Sequence, residues 1–176
     1  MKQRKSVKII FFPFNQNSYF CKCNSILIPM PVIRITREFT IEMAHVLEFH
    51  YGQCKNVHGH SYRLFVTVAG TPLNEPGSPG DGMIMDFAEL KKIVEEKVIN
   101  IFDHSLVVSK SFEKRYNNIR GIFTNLVVLD YQPTCENLVI DFAERIKSGL
   151  PDGIYLHSLK LYETSKSYAE WYSSDN

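Results

Sequence analysis

Cys54-Lys55-Asn56-Val57-His58-Gly59-His60-Ser61-Tyr62-Arg63-Leu64-Phe65-Val66-Thr67-Val68 is the stretch that decides how this chain folds. After its polar opening, apolar and polar residues alternate. That is the mark of a strand, whose successive side chains point to opposite faces. His58 and His60 therefore project together, on the face shared with Tyr62, Leu64, Val66 and Val68. Two imidazoles at the end of an apolar face make half of a divalent-metal site, with the Cys54 thiol just upstream.

The preceding stretch supplies the other half. Ile33, Ile35, Phe39, Ile41, Met43 and His45 fall on one face, interrupted by Arg37, while Arg34, Thr36, Glu38, Thr40 and Glu42 fall on the other. This is a long, half-buried strand. If it pairs antiparallel with the strand opening near His58, its end lies beside the start of its partner. His45 then meets His58 and His60. Three neutral imidazoles with an open fourth position are the donor set of a catalytic zinc ion. Cys54 has two readings beside such an ion: a fourth ligand closing a structural site, or a base and nucleophile next to an open one.

Downstream, 70–82 is rich in glycine and proline and reads as a loop. Asp86-Phe87-Ala88-Glu89 is a capping-box-like helix start, and Phe87, Leu90, Val94, Val98 and Ile101 follow at helical spacing. That helix stops near Asp103-His104, where the carboxylate can fix the imidazole's tautomer, or the histidine can answer the helix dipole. The segment 107–131 carries charge around 110–120 and then possible strand character over 123–129. Thr134 caps a second helix whose buried stripe is Leu138, Phe142, Ile146 and Leu150. Tyr155, Leu159, Leu161 and Glu163 share one face of a third strand, and 168–172 forms a fourth. Glu163, a carboxylate on an apolar face, needs a partner. That partner is either an internal cation or the paired N–H donors of a planar ligand. His50 and His157 read as structural. The element order β-β-α-α-β-β describes an antiparallel sheet with two helices on one face, an α+β fold.

Bulk properties narrow the function. At 176 residues, 44% apolar and net charge +1, the chain has the size for one substantial core and lacks the basic excess of a nucleic-acid binder. No apolar run approaches the ~20 residues that span a bilayer. Cys21, Cys23, Cys54 and Cys135 do not form a secreted disulfide framework, which suits a cytoplasmic setting. Residues 1–30 carry Lys2, Arg4, Lys5 and Lys8 before a short apolar run broken by Pro13. They read as a disordered extension, or as sequence upstream of a true start at Met30, rather than a signal peptide. Cys21-Lys22-Cys23 could bind a metal or be redox-active. Residues 31–176 read as one domain.

Six separated motifs then carry a resemblance: F-x-x-E-M-A-H (39–45), C-x-x-x-H-G-H (54–60), G-M-I-M-D-F (82–87), D-H (103–104), P-T-C-E-N (133–137) and Y-E-T (162–164). In this order they resemble the 6-pyruvoyl-tetrahydropterin synthase superfamily, and within it the bacterial 6-carboxy-5,6,7,8-tetrahydropterin synthases of queuosine biosynthesis. The resemblance implies a tunnelling fold of subunits joined into an oligomeric barrel, a homohexamer made of two trimers, with sites between subunits. It implies zinc on His45, His58 and His60, Cys54 as catalytic base, His104 oriented by Asp103 as proton relay, and Glu163 as pterin anchor. Thr134 and Glu136 would line the pterin pocket. The implied reaction is that of a zinc-dependent lyase turning 7,8-dihydroneopterin triphosphate into 6-carboxy-5,6,7,8-tetrahydropterin, acetaldehyde and triphosphate. The alternatives are the 6-pyruvoyl product or a non-catalytic pterin-binding member. The close step from Cys54 to His58 resembles the carboxy-synthase pattern. The segment 107–131 is longer than in compact bacterial members.

Overall fold

Thirteen consecutive residue pairs, from Ile33↔Gly70 to His45↔His58, join β1 (Ile33–His45) to β2 (His58–Gly70) in an antiparallel ribbon. The computed structural model describes residues 31–116 and 118–176. The expectations for 1–30, including Cys21 and Cys23, lie outside them. The ribbon is the centre of a six-stranded sheet, in the order β4-β3-β1-β2-β5-β6. On one side of it, β5 (Tyr155–Tyr162) and β6 (Tyr168–Tyr172) continue antiparallel, as the alternation predicts. On the other side, β3 (Leu106–Ser109) runs parallel to β1, and β4 (Leu126–Leu129) runs parallel to β3.

The sheet is therefore mixed rather than antiparallel, and the long segment after the first helix is what changes it. Its two four-residue strands bracket two short helices, α3 (Lys110–Arg115) and α4 (Ile119–Ile122). Val46, Leu106, Val108 and Ile119 form a small core of their own, against which Ala44, Phe112, Leu126 and Val128 pack. The fold remains α+β.

The main core lies on the ribbon's other face. Phe39, Ile41, Met43, Tyr62, Leu64, Val66 and Val68 meet Leu90, Val94, Val98, Leu138, Phe142 and Ile146. The first helix begins at α1 (Phe87–Val94), with Asp86 accepting from Ala88 N at its cap. It continues through a π-helical turn, Glu95–Ile99, into α2 (Asn100–Phe102). The wider turn delays the helix phase, so Phe102 rather than Ile101 is fully buried, 4.8 Å from the Phe142 ring. The second main helix, α5 (Cys135–Lys147), is capped by Thr134 as its sequence indicates.

Two further departures have local causes. Arg37 breaks the apolar face of β1 because its guanidinium reaches the Phe87 carbonyl at 3.0 Å, at the start of α1. In β5, Tyr155 is exposed and Leu156 buried, the reverse of simple alternation, because a register shift opposite Thr67 and Val68 turns the strand over.

Candidate metal centre and active site

The register of the ribbon places His45 directly opposite His58, and Met43 opposite His60. Gly59, between the two histidines of β2, lets the strands approach closely: a Cβ there would stand 3.3 Å from the Met43 carbonyl oxygen. The three imidazoles meet as the sequence predicts, each offering a ring nitrogen within 4.8 Å of the others.

Their hydrogen bonds fix which nitrogens face inward. A backbone carbonyl can only accept. His45 Nδ1 therefore carries its proton toward the Pro133 oxygen at 2.7 Å, and His58 Nδ1 carries its own toward the Asn56 oxygen at 2.9 Å. The two Nε2 atoms are left with lone pairs turned on each other at 3.1 Å. Two neutral imidazoles in that arrangement repel, and a divalent cation relieves the repulsion. The tautomers are those a metal-ligating pair requires. Burial holds His45 below the ordinary imidazole value despite the Pro133 carbonyl, and His58 pushes the same way, so His45 stays neutral and available to a metal. The residues present fit a metal ion of the zinc class.

Glu163 stands beside this cluster, past the end of β5. Its Oε1 is 3.6 Å from His45 Nε2 and accepts from the Tyr62 hydroxyl at 3.2 Å. The side chain keeps 26% of its surface open. Tyr62 is fully buried, and its pKa is driven far up by that burial and then by the Glu163 charge, so it remains a donor. Its part in the site was missed from sequence, where it read as one more apolar-face residue. The available signal was its phase, two residues beyond His60 on the same face.

Cys54 lies half-buried in the short helical turn Gln53–Lys55, on the loop leading from His45 to His58. Its carbonyl accepts from Leu47 N at 2.9 Å, which folds the loop back on itself. Thr134 uses its hydroxyl oxygen to cap α5, and Glu136 is exposed in the first turn of that helix.

Asp103 and His104 pair as expected, His104 Nδ1 standing 2.9 Å from Asp103 Oδ2. Asp103 Oδ1 accepts from Glu42 N at 2.8 Å, and His104 N donates to the Glu42 carbonyl. Burial alone would raise the Asp103 carboxyl, but the Glu42 and His104 hydrogen bonds outweigh it and hold the group below the usual carboxylate range. His104 adopts a left-handed backbone, φ 56°, and its side chain is 78% exposed. It lines a cleft of about 570 Å³ with Glu42, Ala44, Gly59 and Ser61, residues that alternate with the metal-facing set, and His60 also borders that cleft. Among the described residues, no hydrogen bond joins His104 to Cys54 or to the three imidazoles.

The chain also resembles known proteins along most of its length. Residues 34–174 match the family model described as 6-pyruvoyl tetrahydropterin synthase. The chain is 35% identical over 140 residues to the 6-carboxy-5,6,7,8-tetrahydropterin synthase of Synechocystis, covering 79% of this chain and 92% of that protein. It is 30% identical over 144 residues to the Haemophilus influenzae protein of the same name, covering 80% and 99%. Among solved structures, an uncharacterized protein from Wolinella succinogenes superposes with a TM-score of 0.66 at 20% identity, over 81% of this chain and 99% of that one, a likeness of fold.

Proposed function

From the premise that this chain belongs to the 6-pyruvoyl tetrahydropterin synthase family, and so has the role of a lyase-type pterin enzyme, we propose that it converts 7,8-dihydroneopterin triphosphate to 6-carboxy-5,6,7,8-tetrahydropterin, acetaldehyde and triphosphate, in the route to queuosine. The observation that carries this reading is the pair of opposed Nε2 atoms with the Glu163 carboxylate beside them. That site has room for a metal and an anchor for a planar ring. The names of the relatives support the carboxy product.

In this reading His45, His58 and His60 hold a zinc ion, their rings oriented by the Pro133 and Asn56 carbonyls. When bound, the ion supplies Lewis acidity to the substrate's side-chain hydroxyls. Glu163 accepts the amino and ring N–H groups of the pterin, while Tyr62 holds one of its oxygens in place. Thr134 and Glu136 complete the pocket wall. Cys54 withdraws a side-chain proton. His104, held by Asp103, returns protons during the rearrangement. Because His104 projects into solvent and, among the described residues, bonds to neither Cys54 nor the three imidazoles, it serves the site of a neighbouring copy. The matching assembly is a hexamer of two trimers, working in the cytoplasm.

A second reading, formation of 6-pyruvoyl-tetrahydropterin on the same site, is favoured by the description of the matching family. Zinc-loaded protein incubated with 7,8-dihydroneopterin triphosphate and read by mass spectrometry separates the two. Acetaldehyde with the carboxy pterin is the expected outcome, and a pyruvoyl product establishes the sister activity. Metal bound with no turnover overturns both and leaves a pterin-binding protein.

A further inference from the structure

The loop that carries Cys54 is held by residues of the segment between β3 and β4, through Glu48. Glu48 is three residues past His45, and its side chain is only 3% exposed. Ser111, in α3, donates to its Oε2 at 2.6 Å. Arg115, at the end of the same helix, brings Nε to 3.0 Å from Oε1. That contact pairs the charges without a directed hydrogen bond, since Oε1 has no aligned donor. The backbone of Glu48 is held as well: its N–H donates to Gln132 Oε1 at 3.3 Å. Ser111 is itself braced by Ser109, whose hydroxyl lies 2.8 Å away and caps α3 by accepting from Phe112 N. The Arg115 guanidinium also stacks over the exposed Phe49 ring at 5.6 Å.

This clamp adjoins the backbone bond that closes the loop carrying the thiol. Leu47, next to Glu48, gives its N–H to the Cys54 carbonyl, so the two limbs of the loop are tied beside the clamped residue. Gln132 precedes Pro133, whose carbonyl sets the His45 tautomer. The strand exit after β4 thus touches both the metal ligand and the Cys54 loop. A buried carboxylate costs several kcal/mol to desolvate without its partners, so the chain does not place Glu48 there for packing alone.

We propose that Glu48 is a positioning residue, fixed by Ser111 and Arg115, which sets the Cys54 thiol against the three-histidine centre. The β3–β4 segment therefore acts as a structural support for catalysis. The inference rests on the function proposed above for the part that concerns turnover, while the holding of the loop is measured independently of it.

The test uses the full chain, zinc-loaded. Arg115→Ala removes an exposed side chain outside the main core, and Glu48→Gln keeps the shape and the Ser111 bond while discarding the charge. Iodoacetamide labelling of Cys54, followed on its own peptide by mass spectrometry, reads the loop whether or not the protein turns over. Both variants are expected to change the Cys54 labelling rate at least ~5-fold while bound zinc stays at the wild-type level. They should lower kcat by ~10-fold or more with KM within about twofold, since a misplacement of 1 Å can cost ~10²-fold. Arg115→Lys, which retains the charge, should recover most of both losses. Unchanged labelling in Arg115→Ala and Glu48→Gln overturns the clamp. Altered labelling with unchanged kcat overturns the positioning role. Should wild type itself prove inactive on the triphosphate, the labelling arm alone decides the clamp.

Discussion

His45 Nε2 lies 3.1 Å from His58 Nε2 while both rings direct their Nδ1 protons to backbone carbonyls. Such an arrangement stores repulsion in the metal-free protein and releases it on binding. The loaded protein is expected to melt well above the stripped one, a ligand at a hundred times its Kd adding about 2.7 kcal/mol. Calorimetry before and after chelation, alongside metal analysis, measures this. His58→Ala should remove both the bound metal and the gain in Tm.

Tyr62 offers a separable contribution. Tyr62→Phe preserves the ring among its neighbours and deletes only the donor to Glu163. Without that donor Glu163 is less well held, so affinity for a pterin ligand should fall. The loss should be less than the full ~1.5–3 kcal/mol (about 10- to 100-fold) that a hydrogen bond to a charged group contributes to stability. Titration of pterin fluorescence quenching checks it. Equal affinity in the variant would show that Glu163 is held in place by something else.

Acid sensitivity should trace in part to Asp103. Its carboxyl is held below the usual 3.8 in the folded chain, so between that folded value and 3.8 the unfolded chain binds a proton that the folded one does not. The group's contribution is complete above 3.8 and is lost as pH falls through the folded value. Asp103→Asn should therefore flatten the decline in stability as pH falls below 3.8, as read by denaturant titration at each pH.

The two described thiols should differ in reactivity. Burial pushes Cys135 up to about 12, and its thiol donates to the Leu161 carbonyl at 3.3 Å. At pH 8 it should resist iodoacetamide in the folded protein and react only after unfolding, whereas half-buried Cys54 should label in the native state. Peptide mapping by mass spectrometry distinguishes them.

Core packing gives a stability benchmark. Phe142 is fully buried against Phe102, and Phe142→Ala should cost about 3–5 kcal/mol, measured by urea unfolding.

What could be read from the sequence follows from periodicity. The three histidines were legible because they sit in phase on two consecutive strands, and such strands pair in one register when one face is buried. Both main helices announced themselves through caps at Asp86 and Thr134. The strand β3 did not, because Leu-Val-Val-Ser has no alternation to detect, and β4 showed only as strand character somewhere within 123–129. All four residues of β3 are buried, as expected of a parallel strand covered on both faces. The exchange of Ile101 for Phe102 and of Tyr155 for Leu156 came from a π-helical turn and a register shift, single-residue phase slips that averaged periodicity smooths over. Glu48 was invisible for another reason: its partners are more than sixty residues away, on α3.

The left-handed backbone at His104 makes glycine, rather than alanine, the informative replacement there. An L-residue in that conformation gives up roughly 1–2 kcal/mol that glycine does not. His104→Gly thus relaxes the main chain while leaving an imidazole-sized vacancy open to solvent beside Asp103. The relay role proposed for His104 is therefore open to chemical rescue. Free imidazole added to the inactive variant should restore turnover in a saturable manner, which a merely structural histidine would not permit.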